Sequence, residues 1–136
     1  GVAPFRAFIQ ERGSSRAEGV PLGRTLLYFG CDHPDQDFLY RAELERAERE
    51  GVVELRTTFC RAPVEELVFV QHRMWRELEE LLTLLAQGAH VRVCGDARTL
   101  APAVRETLQR ILETQAQGPT LGELERSGRY AVDAFS

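Results

Sequence analysis

The sequence predicts an α/β domain with a mostly parallel sheet. Four short, β-favouring apolar stretches recur along the chain, and longer segments with apolar residues at helical spacing separate them. Alternation of this kind builds right-handed crossovers between parallel strands. A third observation says where to look for a site. Cys31, Cys60 and Cys94 fall after the first, second and third strands, and open α/β sheets bind ligands outside the carboxyl ends of their strands. Three buried cysteines is the plainer alternative, since free cysteine is commonly a core residue.

Each element has its own warrant. A first helix is expected from Pro4, because proline suits a first helical turn, and it should fade at Gly13. Gly13 to Gly23, with its Ser, Gly and Pro, reads as a surface loop. Arg24 to Gly30 is a strand stopped by glycine, and Val52 to Phe59 is a second, rich in Val, Leu and Thr. Between them Gln36 to Glu50 repeats apolar positions at Tyr40, Leu44 and Ala47, the spacing of a helix. Met74, Leu78, Leu81, Leu82 and Leu85 predict another helix, and Leu100, Val104, Leu108, Ile111 and Leu112 a third. His90 to Cys94 and Tyr130 to Asp133 are the remaining strands, with a short helix expected over Leu121 to Arg126.

Composition bounds the function. With 136 residues and 43% hydrophobic content the chain fits one domain over 1–136. Its net charge is −4, with 17 basic and 21 acidic residues well mixed. That excludes a general nucleic-acid or anionic-membrane surface, while a local basic site for a phosphate remains open. No apolar run approaches the roughly 18 residues of a spanning helix, and no signal peptide is expected ahead of the domain. Three cysteines are too few for a secreted disulfide framework, so a reducing, cytoplasmic setting is expected. His33, His72 and His90 show no ligand spacing with the cysteines, and no metal site is expected. The chain has no initiator methionine and opens inside a motif-like stretch, so it reads as a piece of something longer.

The motifs, taken in order, resemble one family. They are Ala3-Pro4-Phe5-Arg6 with Phe8-Ile9-Gln10-Glu11-Arg12, then Phe29-Gly30-Cys31 with Asp37-Phe38-Leu39-Tyr40-Arg41, then Phe59-Cys60-Arg61. Val70-Gln71-His72, Val93-Cys94-Gly95-Asp96-Ala97-Arg98 and Gly128-Arg129-Tyr130 follow. No single motif is specific, but their shared order and spacing resemble the NADP(H)-binding domain of diflavin reductases in the ferredoxin-reductase superfamily. The resemblance spans essentially the whole chain. It implies a Rossmann-like parallel sheet with helices on both faces. The strand expected ahead of the opening motif is missing; it would be the central one, so this piece is not expected to fold alone.

The resemblance also implies roles. Gly1, Ala3 and Pro4 resemble the end of the loop that cradles the pyrophosphate, where helix N–H groups and dipole favour phosphate oxygens. Cys31 falls at the strand end beside that phosphate. Arg61 matches an arginine that binds the adenosine 2′-phosphate, a task that suits a guanidinium fork, and lies against the adenine; a solvated loop arginine is the alternative. Phe69 matches an aromatic beside the adenosine phosphate, with core packing in a strand-like segment as its alternative, and Gln71 matches a donor to that phosphate. Cys94 matches the thiol beside the nicotinamide, and Asp133 the carboxylate that joins it. Gly95 lets the backbone approach the cofactor. Asp96 acts on the loop or the ribose, or is a simple turn residue. Phe135 matches the aromatic that stacks on the flavin and must move aside for the nicotinamide; a frayed terminus is its alternative.

Three departures from the family pattern bear on cofactor choice. Cys60 stands where serine is usual, and a thiol is the poorer donor. Leu67 falls where lysine is usual, in a loosely aligned stretch. Asp32 stands where arginine commonly follows Gly-Cys and helps hold the pyrophosphate, and a carboxylate there would repel phosphate unless it points away. NADPH is therefore expected to bind more weakly than is usual in the family, with NADH competing. His33 and His72 lie near the inferred phosphate side and are not expected to be essential.

The expected activity is hydride transfer from NAD(P)H to FAD, feeding electrons through FMN to a haem protein such as a monooxygenase. FAD- and FMN-binding domains in the same polypeptide would be the partners. The alternative is a non-catalytic NADPH-binding or regulatory module, which would not need Cys94, Asp133 and Phe135 together. A flavodoxin-like carrier is excluded by the lack of a Ser- and Thr-rich phosphate loop after the first strand.

Overall fold

The computed structural model describes residues 3–19, 23–35 and 38–135, apart from the side chains of Ala3 and Phe135. The chain divides into two compact units, Gly1–Val70 and Gln71–Ser136. Its strands are parallel, as expected, and pair as two ladders of two strands each.

The first unit holds α1 (Ala3–Ala17), β1 (Leu26–Cys31), α2 (Arg41–Arg49) and β2 (Glu54–Phe59). Its core is Ile9 from α1, Leu27 from β1, Leu44 and Ala47 from α2, and Val52 with Val53 leading into β2. Phe5, Phe29, Phe38 and Leu55 pack against that cluster. The ladder runs from Leu26 opposite Glu54 to Cys31 opposite Phe59. Arg24 closes its start by donating from Nε and Nη2 to the two oxygens of Glu54, at 2.9 Å each.

Two expectations need correction here. The helix α1 does not fade at Gly13 but continues to Ala17, taking in part of the segment read as a loop. Neighbouring contacts account for this. Arg12 Nη2 donates to Gly23 O (2.7 Å) and Nε to Val52 O (3.3 Å), and a Cβ at Gly13 would sit in ordinary contact with Val52. Tertiary packing thus outweighs the weak helix propensity of one glycine. Conversely, α2 starts at Arg41 rather than Gln36, because Tyr40 takes a left-handed conformation (φ 58°). The Arg6 guanidinium lies 3.9 Å from the Tyr40 ring centroid, and Arg6 pairs with Glu43 at 2.9 Å. Residues 36 and 37 lie outside the described part.

The helix α3 (Val70–Arg76) starts at the division, and the second unit continues with α4 (Leu78–Ala86), β3 (Val91–Asp96), α5 (Leu100–Glu113), α6 (Leu121–Arg126) and β4 (Tyr130–Phe135). The apolar repeat over Met74 to Leu85 does not form one helix. It breaks at Glu77 (φ −99°, ψ 23°). Glu77 N still donates to Arg73 O and Leu81 N to Glu77 O, so the break is a kink that keeps the periodicity. In α5 the buried residues are Ala101, Val104, Leu108, Ile111 and Leu112. They form the stripe that its spacing predicts. A capping box starts α6: Glu123 N donates to Thr120 Oγ1 (3.1 Å) and Thr120 N to the Glu123 carboxylate (3.2 Å). After it Gly128 (φ 75°) turns the chain into β4. There Arg129 donates to Leu85 O (2.5 Å) and Ala89 O (3.1 Å), tying the end of α4 to the start of β4.

Candidate functional site

The carboxyl end of the β1–β2 ladder gathers three of the singled-out residues. Cys31 is the last residue of β1 and Cys60 follows β2 directly. Two further backbone bonds prolong the parallel pairing past the strands, Cys60 N to Cys31 O and Arg61 N to Asp32 O, both 3.0 Å. They bring the Asp32 side chain against its neighbours across the ladder. Cys60 Sγ–H donates to Asp32 Oδ1 (2.8 Å), and Arg61 Nε donates to Asp32 Oδ2 (3.3 Å). Asp32 thus grips both neighbours across the ladder. These contacts hold its carboxyl below the usual carboxylate range, the Cys60 thiol contributing most, and the same bond pushes the Cys60 thiol up. Cys31 Sγ–H donates to His33 O at 3.5 Å.

The loop beyond carries the rest of the adenosine-side candidates. Phe69 is half exposed just ahead of α3, not packed in the core of a strand-like segment as one reading had it. Gln71 lies in the first turn of α3 and belongs to the second unit. Between Arg61 and Phe69 the chain turns through Glu65 and Glu66, both in left-handed conformation (φ 52° and 68°). Pro4 lies in the first turn of α1, which begins at Ala3; Gly1 is outside the described residues.

In the second unit the β3–β4 register does the gathering. Cys94 pairs with Asp133, Gly95 with Ala134, and Asp96 with Phe135. Partners in a parallel ladder present their side chains to the same face, so Cys94 and Asp133 are neighbours there. Cys94 is buried and Asp133 exposed. The strand spans Val91–Asp96 and ends two residues later than expected, so Cys94 lies inside β3 rather than after it. Gly95 has a packing reason of its own: a Cβ there would run into the side chain of Leu100, the first residue of α5. Asp96 serves the turn, its Oδ1 accepting from Arg98 N at 2.6 Å. The Phe135 backbone completes β4, but its side chain is outside the described part, so its stacking role is untouched by these contacts.

These positions answer the known proteins. The oxidoreductase NAD-binding domain family matches residues 1–106. The chain belongs to that family. The whole chain also aligns at 41% identity with the bifunctional cytochrome P450/NADPH–P450 reductase 2 of Bacillus subtilis. It aligns at 42% with the NADPH–cytochrome P450 reductase of Mus musculus and at 41% with that of Homo sapiens. It covers 14% of the first relative and 21% of the other two. The donor set fits the NAD-binding family's ligand. An arginine and a half-exposed aromatic follow β2, outside the carboxyl end of a parallel ladder. Among the described residues no His, Cys, Asp and Glu cluster could hold a metal ion, and no helix is long and apolar enough to cross a membrane.

Sequence reasoning found these positions but not the Asp32–Cys60–Arg61 grip. A clue was present, since Cys60 and Asp32 are both departures from the family pattern at the ends of the first two strands.

Proposed function

We propose that residues 1–136 are the NAD(P)H-binding domain of a larger flavoprotein reductase, which positions the nicotinamide for hydride transfer to FAD. Electrons would continue through FMN to a haem protein such as a monooxygenase, with the FAD- and FMN-binding domains in the same polypeptide. The observation that supports this reading is the β3–β4 register, in which Cys94 and Asp133 are partners near the carboxyl end of a parallel ladder.

When bound, NAD(P)H supplies a hydride to the flavin. The residues of this chain supply position and charge. Asp133 places a negative charge where positive charge develops as the hydride leaves. Cys94, held in β3, packs beside it and fixes the orientation; it is no nucleophile, because hydride transfer needs no covalent step. Phe135 covers the flavin and yields to the nicotinamide. Arg61 binds the adenosine 2′-phosphate, Phe69 lies against the adenosine, and Gly1, Ala3, Pro4 and Cys31 border the pyrophosphate. Gly95 and Asp96 shape the turn after β3. The three cysteines are free thiols, in keeping with a cytoplasmic protein.

Anaerobic stopped-flow reduction of FAD in the intact protein, with NADPH and NADH compared, tests this. Reduction by either nucleotide supports the reductase. No reduction by either overturns it in favour of a non-catalytic nucleotide-binding module.

A further inference from the structure

Asp32 and Arg61 form an ion pair with exposed side chains, 52% and 70% accessible. Two features make it more than a chance surface contact. Backbone bonds on both sides fix the spacing: Arg61 N donates to Asp32 O and Cys60 N to Cys31 O. The second carboxylate oxygen is engaged by Cys60 Sγ, so the group is oriented at both ends.

We infer that Asp32 is the residue that sets how strongly this protein prefers a phosphorylated adenosine ribose, by holding Arg61 in an ion pair that a 2′-phosphate must break. This rests on the dinucleotide-binding reading above and deepens it. A 2′-phosphate entering at Arg61 meets two costs. It competes with Asp32 for the guanidinium, and it brings a dianion close to a carboxylate that stays ionised. The pair itself is weak, as exposed pairs are, so a phosphate can displace it. The repulsion remains after displacement, because Cys60 still holds the carboxylate in place. A ribose with a free 2′-hydroxyl brings no dianion to Arg61 and leaves the ion pair standing. The outcome is graded: Asp32 lowers affinity for the phosphorylated ribose and leaves that for the unphosphorylated one unchanged.

The test is calorimetric titration of the intact protein and of Asp32→Asn with adenosine 2′,5′-bisphosphate and with adenosine 5′-monophosphate, which differ only in the 2′-phosphate. Asparagine keeps an oxygen that can accept from Cys60 and removes the charge. The bisphosphate should bind about fivefold more tightly to Asp32→Asn, with the monophosphate within about twofold of wild type, the size expected for one screened charge pair plus a like-charge contact. Asp32→Ser, which lacks both charge and reach, should act the same way, and the bisphosphate gain should shrink as salt rises. Equal shifts for both ligands, or none, overturn the role of Asp32 and leave nucleotide binding standing. If neither ligand binds the wild-type protein, the dinucleotide reading fails and the inference falls with it.

Discussion

At the carboxyl end of β1 and β2 the candidate side chains hold one another, whereas at the end of β3 and β4 the backbone holds them. Asp32, Cys60 and Arg61 are exposed or half-exposed groups joined by side-chain bonds. Cys94 and Asp133 are placed by ladder register, with Cys94 buried. The difference is one of stiffness. Exposed ion pairs rearrange at little cost, while moving Cys94 relative to Asp133 means slipping the ladder and reversing every side chain on it. A soft arrangement suits ligand discrimination, which needs a tunable balance of charges. A stiff one suits hydride transfer, whose rate falls steeply with small misplacements.

The largest effect should come from the stiff end. Asp133→Asn removes the charge and keeps the shape, and should slow FAD reduction by about 10²-fold, the scale of losing one electrostatic contact to a transition state. Because Asp133 is exposed, thermal stability should hold. An unchanged rate would take Asp133 out of the mechanism and leave the register without a chemical purpose.

Gly95→Ala separates packing from ligand approach at the same end. The added Cβ meets Leu100, so the variant should lose about 1–3 kcal/mol in denaturant unfolding, as overpacked cores do. Unaltered stability with weakened nucleotide binding would assign Gly95 to the ligand instead.

A smaller, opposite effect is expected in the first unit. Thr58 is 2% exposed, and its Oγ1 finds no hydrogen-bond partner. It lies opposite Gly30, where a Cβ would come within 3.0 Å of that oxygen. Thr58→Val removes an orphaned buried hydroxyl at nearly constant volume and should stabilise by about 1 kcal/mol. A loss of similar size would show that the hydroxyl is satisfied after all.

These contrasts also mark what the sequence makes legible. The stripe in α5 and the bounds of α6 follow from local spacing and capping chemistry, which neighbouring residues encode. The parallel pairing follows from strand–helix alternation. The overrun of α1 past Gly13 depends on Arg12 reaching Val52 and Gly23, and the kink at Glu77 leaves the apolar repeat intact. Neither leaves a trace in periodicity. Cys94 and Asp133 were paired through the family resemblance alone, and the register makes them ladder partners. Asp32 was legible as an oddity alone, because its partner Cys60 lies 28 residues away.

The smallest effect probes the soft end without any nucleotide. Cys60 donates to Asp32, so ionising the thiol forfeits that bond and sets two anions side by side; its pKa is raised for this reason. The same contacts lower the pKa of Asp32. The signs give a window. A depressed carboxyl contributes at neutral pH and loses its contribution as pH falls through the carboxylate range, while a raised thiol contributes at neutral pH and loses it as pH rises through the thiol range. The grip is therefore intact between those limits, and Cys60 should alkylate slowly with iodoacetamide near pH 7.5, since the thiolate is the reactive form. In Asp32→Asn the charge is gone, more thiolate forms at the same pH, and alkylation of Cys60 should quicken several-fold while that of buried Cys94 stays slow. Equal rates in wild type and variant would mean that Asp32 and Cys60 do not hold one another in solution, and the contrast between a soft and a stiff end would lose its first half.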